Sequence, residues 1–207
     1  LDILNLVNDI NKNSKSKKYI IAGFLDDKIK KVKINGIKLL GKFKDAKKYK
    51  NNYYFVTAIG SSKNFRNNQN VIEKLDIHKK RFISLIHPKA IISDFSEIGY
   101  GCLIFQNVTI STNVKINDFV QILPNTVINH DTIIENYCKI NTNCNISSAV
   151  ILKKLCYLGA GVMIKEKIVI NEKNLIGMGS LVLKSINAKK STIFGNPAKI
   201  KKNFSSA

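Results

Sequence analysis

From Ile92 onward an aliphatic residue recurs at every sixth position: Ile98, Ile104, Ile110, Ile116, Ile122, Ile128, Ile134, Ile140, Ile146, Leu152, Leu158, Ile164, Ile170, Ile176 and Val182 follow it without an insertion. Two residues before each sits a small or medium side chain, among them Ala90, Ser96, Cys102, Val108, Thr126, Thr132 and Cys138, with only Ile168 and Asn174 larger. Neither the 3.6-residue period of a helix nor the alternation of a hairpin strand produces a strict period of six. A triangular parallel β-helix does. Each hexapeptide forms one face, its aliphatic side chain points inward, and three faces close one coil. The residue after the aliphatic is often Gly or Asn, as at Gly99, Asn117, Asn129, Asn141, Gly159, Asn171 and Gly177. Because these tolerate left-handed backbone, the corners are predicted there, and Leu123, Glu135 and Lys153 read as corners without the usual residue.

Residues 1–86 lack the period. In "LDILNLVNDI", Ile3, Leu6, Val7 and Ile10 form the stripe of an amphipathic helix. "KYIIAGFLDD" reads as a buried strand ending at Asp26 and Asp27, "FKDAKKYK" as a helix, and "YYFVTAIGSS" as a second strand running into Gly60. "NFRNNQNVIEKL" reads as a helix and "RFISLI" as a third strand leading to His87 and Pro88. Alternating helix and strand predicts a small parallel, Rossmann-like α/β sheet, so the chain divides into an α/β domain at 1–87 and a β-helix at 88–207. Ligands of such sheets bind at the carboxyl ends of strands, where Asp26, Asp27 and Gly60 fall.

Composition changes this picture little. A chain of 207 residues with 44% hydrophobic content can bury a core, and no run of about 18 apolar residues suggests a membrane span. No secretory signal is visible, so a cytoplasmic protein without stable membrane insertion is expected. The net charge of +20 is carried almost wholly by Lys spread through every segment. No zinc-finger spacing, basic helix or aromatic-interleaved basic motif accompanies it, so nucleic acid is not the expected partner. Cys102, Cys138, Cys144 and Cys156 are separated by multiples of six and share the small inward position, which makes them core residues and predicts no metal site.

A small α/β domain followed by hexapeptides resembles the sugar O- and N-acetyltransferases with a left-handed β-helix, which include sialic acid O-acetyltransferases and UDP-4-amino-sugar N-acetyltransferases of the bacillosamine pathway. The stretches "FLDD", "AIGSS", "LIHPKA", "VINHD", "YLGAGVMI", "LIGMGSLV" and "FGNPAKI" resemble those of the family in the same order. The resemblance implies that His130 is the general base and Asp131 its acid. It also implies a homotrimer that binds acetyl-CoA between neighbouring prisms, with Gly159, Ala160, Gly177, Gly195, Asn196, Pro197 and Ala198 lining the groove. Asp26 and Asp27, with Gly60 and His87, would hold the sugar or nucleotide-sugar. The basic tail Lys184, Lys189, Lys190, Lys199, Lys201 and Lys202 could meet the CoA phosphates. Two departures stand out. The chain opens at the helix that in the family follows a first strand and a Gly-rich turn, so a sheet without that first strand is expected of residues 1–87. Lys139 stands where many members have a second active-site His, nine residues after the first, and is expected to contact acetyl-CoA.

His130 lies two positions beyond inward Ile128 and therefore projects away from the filled prism. A neutral imidazole can accept the proton that an attacking amine or hydroxyl loses, and a carboxylate orients it. With every Cys inward, direct transfer is expected rather than an acyl-enzyme. The expected activity is acetyl-CoA-dependent acetylation of a surface-glycan sugar precursor, at the 4-amine of a UDP-linked sugar. O-acetylation of a sialic acid, or a silent trimeric scaffold, are the alternatives.

Overall fold

The computed structural model describes residues 2–201; the expected role of Lys202 lies outside them. The hexapeptides form the predicted prism. Each contributes a two-residue strand, and each strand pairs in parallel with its counterpart one coil away, as Gln121–Ile122 does with Leu103–Ile104 below and Lys139–Ile140 above. The first face stacks these strands with Tyr157–Leu158 and Leu175–Ile176. The second face runs from Ile91–Ile92 through Val127–Ile128 to Leu181–Val182, and the third from Glu97–Ile98 through Ile133–Ile134 to Val169–Ile170. Thr192–Phe194 and Lys199–Lys201 close the first face as an antiparallel hairpin.

Both inward positions are filled as the period predicts. Ile104, Ile122, Ile128, Ile134, Ile140 and Ile146 are wholly buried, as are Thr126, Thr132 and Asn174 at the smaller position. Polar groups at that smaller position do not go unsatisfied. The Thr126 hydroxyl donates to the Asn141 carbonyl at 2.9 Å and accepts from the Cys144 amide at 3.3 Å, and Thr132 does the same with Ser147 and Val150. The four thiols are buried and donate to carbonyls of the next coil, at Asn117, Lys153, Gly159 and Asn171. Burial raises Cys102 and Cys144 to about 11, so neither offers a thiolate at neutral pH.

The corners are not where the sequence reading put them. Left-handed backbone occurs at the third residue after each aliphatic from Ile98 to Ile176, as at Asn107, Asn113, Phe119, Asn125, Asp131, Tyr137 and Asn143, with Gly101, Gly161 and Gly179 in the same phase. Leu123, Glu135 and Lys153 have therefore lost nothing. Gly159 and Gly177 answer to a different constraint. A Cβ on Gly159 would stand 2.5 Å from the Met178 nitrogen, and one on Gly177 2.7 Å from the Phe194 Cβ.

The N-terminal part is less regular than expected. Helix α1 (Asp2–Lys12) buries Leu6, Val7 and Ile10 against Leu85, Leu103 and Phe105. Strand β1 (Phe24–Leu25) pairs in parallel with β3 (Ile37–Gly41), and β2 (Lys33–Ile34) adds an antiparallel edge. The β2–β3 turn is Asn35–Gly36, both with positive φ, the signature of a two-residue hairpin that the strand and helix pattern hid. "FKDAKKYK" forms a 3₁₀ turn at Phe43–Lys48, and "NFRNNQNVIEKL" forms a 3₁₀ turn followed by α2 (Asn68–Glu73). The "YYFVTAIGSS" stretch makes a single bridge, Phe55 to Phe82. Strand β4 (Leu85–Ile86), expected in the N-terminal sheet, instead pairs with Leu103–Ile104 and begins the first face of the prism.

The N-terminal part covers the edge between the third and first faces. Bulky residues hold left-handed backbone there. Phe119 stacks on Tyr137 with centroids 5.1 Å apart and planes 2° from parallel, while Phe82 meets Phe119 edge-on. Ile72, Phe82, Tyr137 and Leu155 bury together, so packing offsets the strain of large left-handed residues.

Candidate functional site

Three histidines are present, and their hydrogen bonds separate them. His78 Nδ1 accepts from the Lys80 amide and caps a 3₁₀ turn. His87 is buried; its Nδ1 accepts from the Lys89 amide at 3.0 Å, so the ring proton sits on Nε2, which faces Asp9 Oδ2 at 3.2 Å. Both nitrogens of His87 are thereby occupied. His130 sits at the edge between the second and third faces with its side chain about half exposed. Its Nδ1 lies 2.7 Å from Asp131 Oδ2. Bonds from His130 and then from Asn113 hold the Asp131 carboxyl below its usual range. An ionised Asp131 can only accept, so Nδ1 of His130 carries a proton, and the neutral form of the ring has its lone pair on Nε2, toward solvent.

The corner itself builds this pair. Asp131 occupies the left-handed position, φ 60°, which a short polar side chain tolerates. Its Oδ1 accepts from Asn113 Nδ2 at 2.6 Å, one coil below. Asn113 was not singled out from the sequence, although its position one coil before Asp131 was a usable signal.

Lys139 lies elsewhere. It is on the first face, opposite the edge that carries His130, and it is buried beneath the N-terminal part. Its Nζ donates to Gln121 Oε1 at 2.5 Å. It shares a small cavity with Thr57, Ile59, Asn68 and Tyr137. The two residues do not meet within one chain. Gly60 has a packing reason here: a Cβ would stand 2.2 Å from the Lys139 Cε. Burial lowers the Lys139 ammonium from 10.5 to about 8. Between those values the unfolded chain binds more protons, so this residue makes stability rise with pH across that window. Lys139→Met should stabilise the protein at pH 7 by about 1–3 kcal/mol, because it removes a buried charge. Urea melts of both proteins at pH 7 and near pH 10 check this: the variant's advantage should shrink at the higher pH.

Asp26 and Asp27 have structural duties. Asp26 Oδ1 accepts from the Lys28 and Ile29 amides and turns the chain after β1, while Asp27 Oδ1 accepts from the Phe43 amide. Gly159, Ala160, Gly177 and the closing turn at Gly195 and Pro197 lie along the edge between the first and second faces. The Gly159 and Gly177 amides are committed to the ladder, donating to Ile176 and Ile193. The closing turn is tied down where the Leu181 amide donates to Gly195 and the Ala198 amide to Leu181. On the same edge, lower down, Asp9, Asn13, His87, Lys89, Gln106 and Asn107 line an open cleft of about 370 Å³. At about 4.8 Å per coil, Ala160 stands about 19 Å above Lys89, and the level of His130 falls between them. Among the described residues no cluster of three or more His, Cys, Asp or Glu could hold a metal ion.

Two family models match: the PglD N-terminal domain over residues 5–75 and the GMPPB C-terminal domain over 83–176. The acetyltransferase domain of PglB from Neisseria gonorrhoeae, solved with acetyl coenzyme A, superposes with a TM-score of 0.81 at 19% identity, covering 97% of this chain and 93% of that one. The chain has the fold of the sugar acetyltransferases. PerB from Caulobacter crescentus, solved with CoA and GDP-perosamine, gives a TM-score of 0.76 at 20% identity over 87% of this chain and 84% of that one. In sequence, a GDP-perosamine N-acetyltransferase from Escherichia coli O157:H7 is 34% identical over 96 residues. That match spans 46% of this chain and 42% of the relative.

Proposed function

We propose that this protein transfers an acetyl group from acetyl-CoA to the amine of a nucleotide-linked amino sugar, with His130 as general base and Asp131 as its orienting acid. The observation that carries the reading is the open Nε2 of His130: of the three histidines, it alone keeps an unengaged ring nitrogen beside an ionised carboxylate. Acetyl-CoA and GDP-perosamine in relatives of the same fold support the substrate class.

As the amine nitrogen bonds to the thioester carbonyl carbon, His130 Nε2 takes its proton and Asp131 stabilises the resulting imidazolium. Collapse of the tetrahedral intermediate breaks the carbon–sulfur bond, and the imidazolium returns the proton to the departing CoA thiolate. No step needs a cysteine.

Within one chain the His130 edge and the edge bearing the cleft, Gly159 and Ala160 are different edges of the prism. A neighbouring copy would join them, which supports a homotrimer with acetyl-CoA between prisms. Lys139 is then set aside as a direct acetyl-CoA contact of its own chain's His130. Asp26, Asp27 and Gly60 remain candidates for the nucleotide, His87 for shaping the acceptor cleft, and the cytoplasm for the location.

Mass spectrometry of the sugar after incubation with acetyl-CoA tests the reading. UDP- and GDP-linked 4-amino sugars should gain one acetyl group on nitrogen. Acetylation of sialic acid alone would replace this reading with O-acetyl transfer, and no acetylated product at all would point to a scaffold.

A further inference from the structure

The basic residues are not evenly spread. Ten of the chain's 34 lie among the 23 residues from Lys28 to Lys50, where Asp45 is the one acid. Nine of these ten lysines are exposed. Only Lys47 and Lys48 have ion-pair partners among the described residues, Asp76 and Asp45. Seven of the other eight are exposed, and none of the eight has an ion-pair partner among the described residues.

The hairpin concentrates these charges. Lys33 and Lys38 are direct cross-strand partners, an arrangement that costs energy when two like charges face each other. Lys31 is exposed two residues before Lys33. Strand β2 is the outer strand of its sheet, so among the described residues no further strand pairs with this edge. Lysines do guard free edges against strand addition, but of the ten only Lys33 lies in β2 itself. Between Lys31 and Lys33, Val32 is 76% exposed, an apolar side chain held out at the same edge.

We propose that the Lys28–Lys50 lobe docks the protein on an anionic lipid surface, with the β2 edge leading. A diffuse negative potential attracts lysines at about 1 kcal/mol each near the surface, and no particular geometry is needed. The lobe contains no arginine, whose planar fork would favour bidentate phosphate or base recognition in a nucleic acid. Val32 adds an apolar contact at the headgroup level. Among the described residues no helix is long and apolar enough to cross a membrane, so the attachment is peripheral. The proposal does not depend on the acetyl-transfer reading.

Co-sedimentation of the full chain with phosphatidylcholine vesicles, with and without one-third phosphatidylglycerol, tests it. The protein should pellet with the anionic vesicles at low salt, not with neutral ones, and high salt should release it. Changing Lys30, Lys31, Lys33 and Lys38 together to Glu should weaken binding at least about tenfold. Changing Lys63, Lys74, Lys80 and Lys165 to Glu alters the net charge equally and should weaken it far less; circular dichroism verifies that both variants fold. Equal losses in the two variants, or equal binding to neutral vesicles, would overturn the proposal. So would displacement from the vesicles by single-stranded RNA at matched phosphate concentration.

Discussion

His130→Ala should lower kcat for acetyl transfer by about 10² to 10⁴, the usual contribution of a positioned general base. The KM for acetyl-CoA should change little, because the ring's role is to take the amine's proton, and the residues proposed to line the acetyl-CoA groove, Gly159 and Ala160, are untouched by the substitution. Stability should also hold, since the side chain is half exposed and no core residue rests on it. Initial rates of CoA thiol release, alongside thermal melts, separate these outcomes. A drop in rate together with a large fall in melting temperature would assign the effect to folding instead.

Ile140→Ala should cost about 2–5 kcal/mol of unfolding free energy, because the side chain is wholly buried with Ile122 below it and Leu158 above. In a solenoid each coil is held by its neighbours, so a void in a middle coil weakens two interfaces. Ile20→Ala, at a residue 79% exposed, should stay within about 0.5 kcal/mol. Urea denaturation of both variants checks the contrast. A loss at Ile140 no larger than that at Ile20 would mean the prism interior does not carry the stability.

The prism was legible because its constraint is strict. An inward aliphatic every sixth residue leaves a mark that neither helices nor hairpins make, and the same arithmetic took all four cysteines into the core. Corner phase was harder. Asn occupies both the residue after the aliphatic, as at Asn129, and the left-handed one, as at Asn125, so residue type did not separate them. The bulky left-handed residues Phe119 and Tyr137 also mask the corner signal, since aromatic packing under the N-terminal part replaces the freedom of Gly or Asn.

The location of Lys139 was within reach of the sequence. Nine residues is half of a coil, so counting the period from His130 leads to the opposite face of the prism. Family resemblance pulled the other way. The N-terminal elements were less readable because their strands are two to five residues long and helix α1 rests on contacts with the prism. Asn35–Gly36 was the one local signal that marked the hairpin.

The central claim is acetyl transfer to an amine on a nucleotide-linked sugar, and thiol release from acetyl-CoA tests it most directly. Two acceptors should be compared: a nucleotide-linked 4-amino sugar and its counterpart with a hydroxyl in place of the amine. The account predicts sustained release of CoA with the amine and background release with the hydroxyl or with no acceptor. Background release with the amine under saturating acetyl-CoA would contradict it.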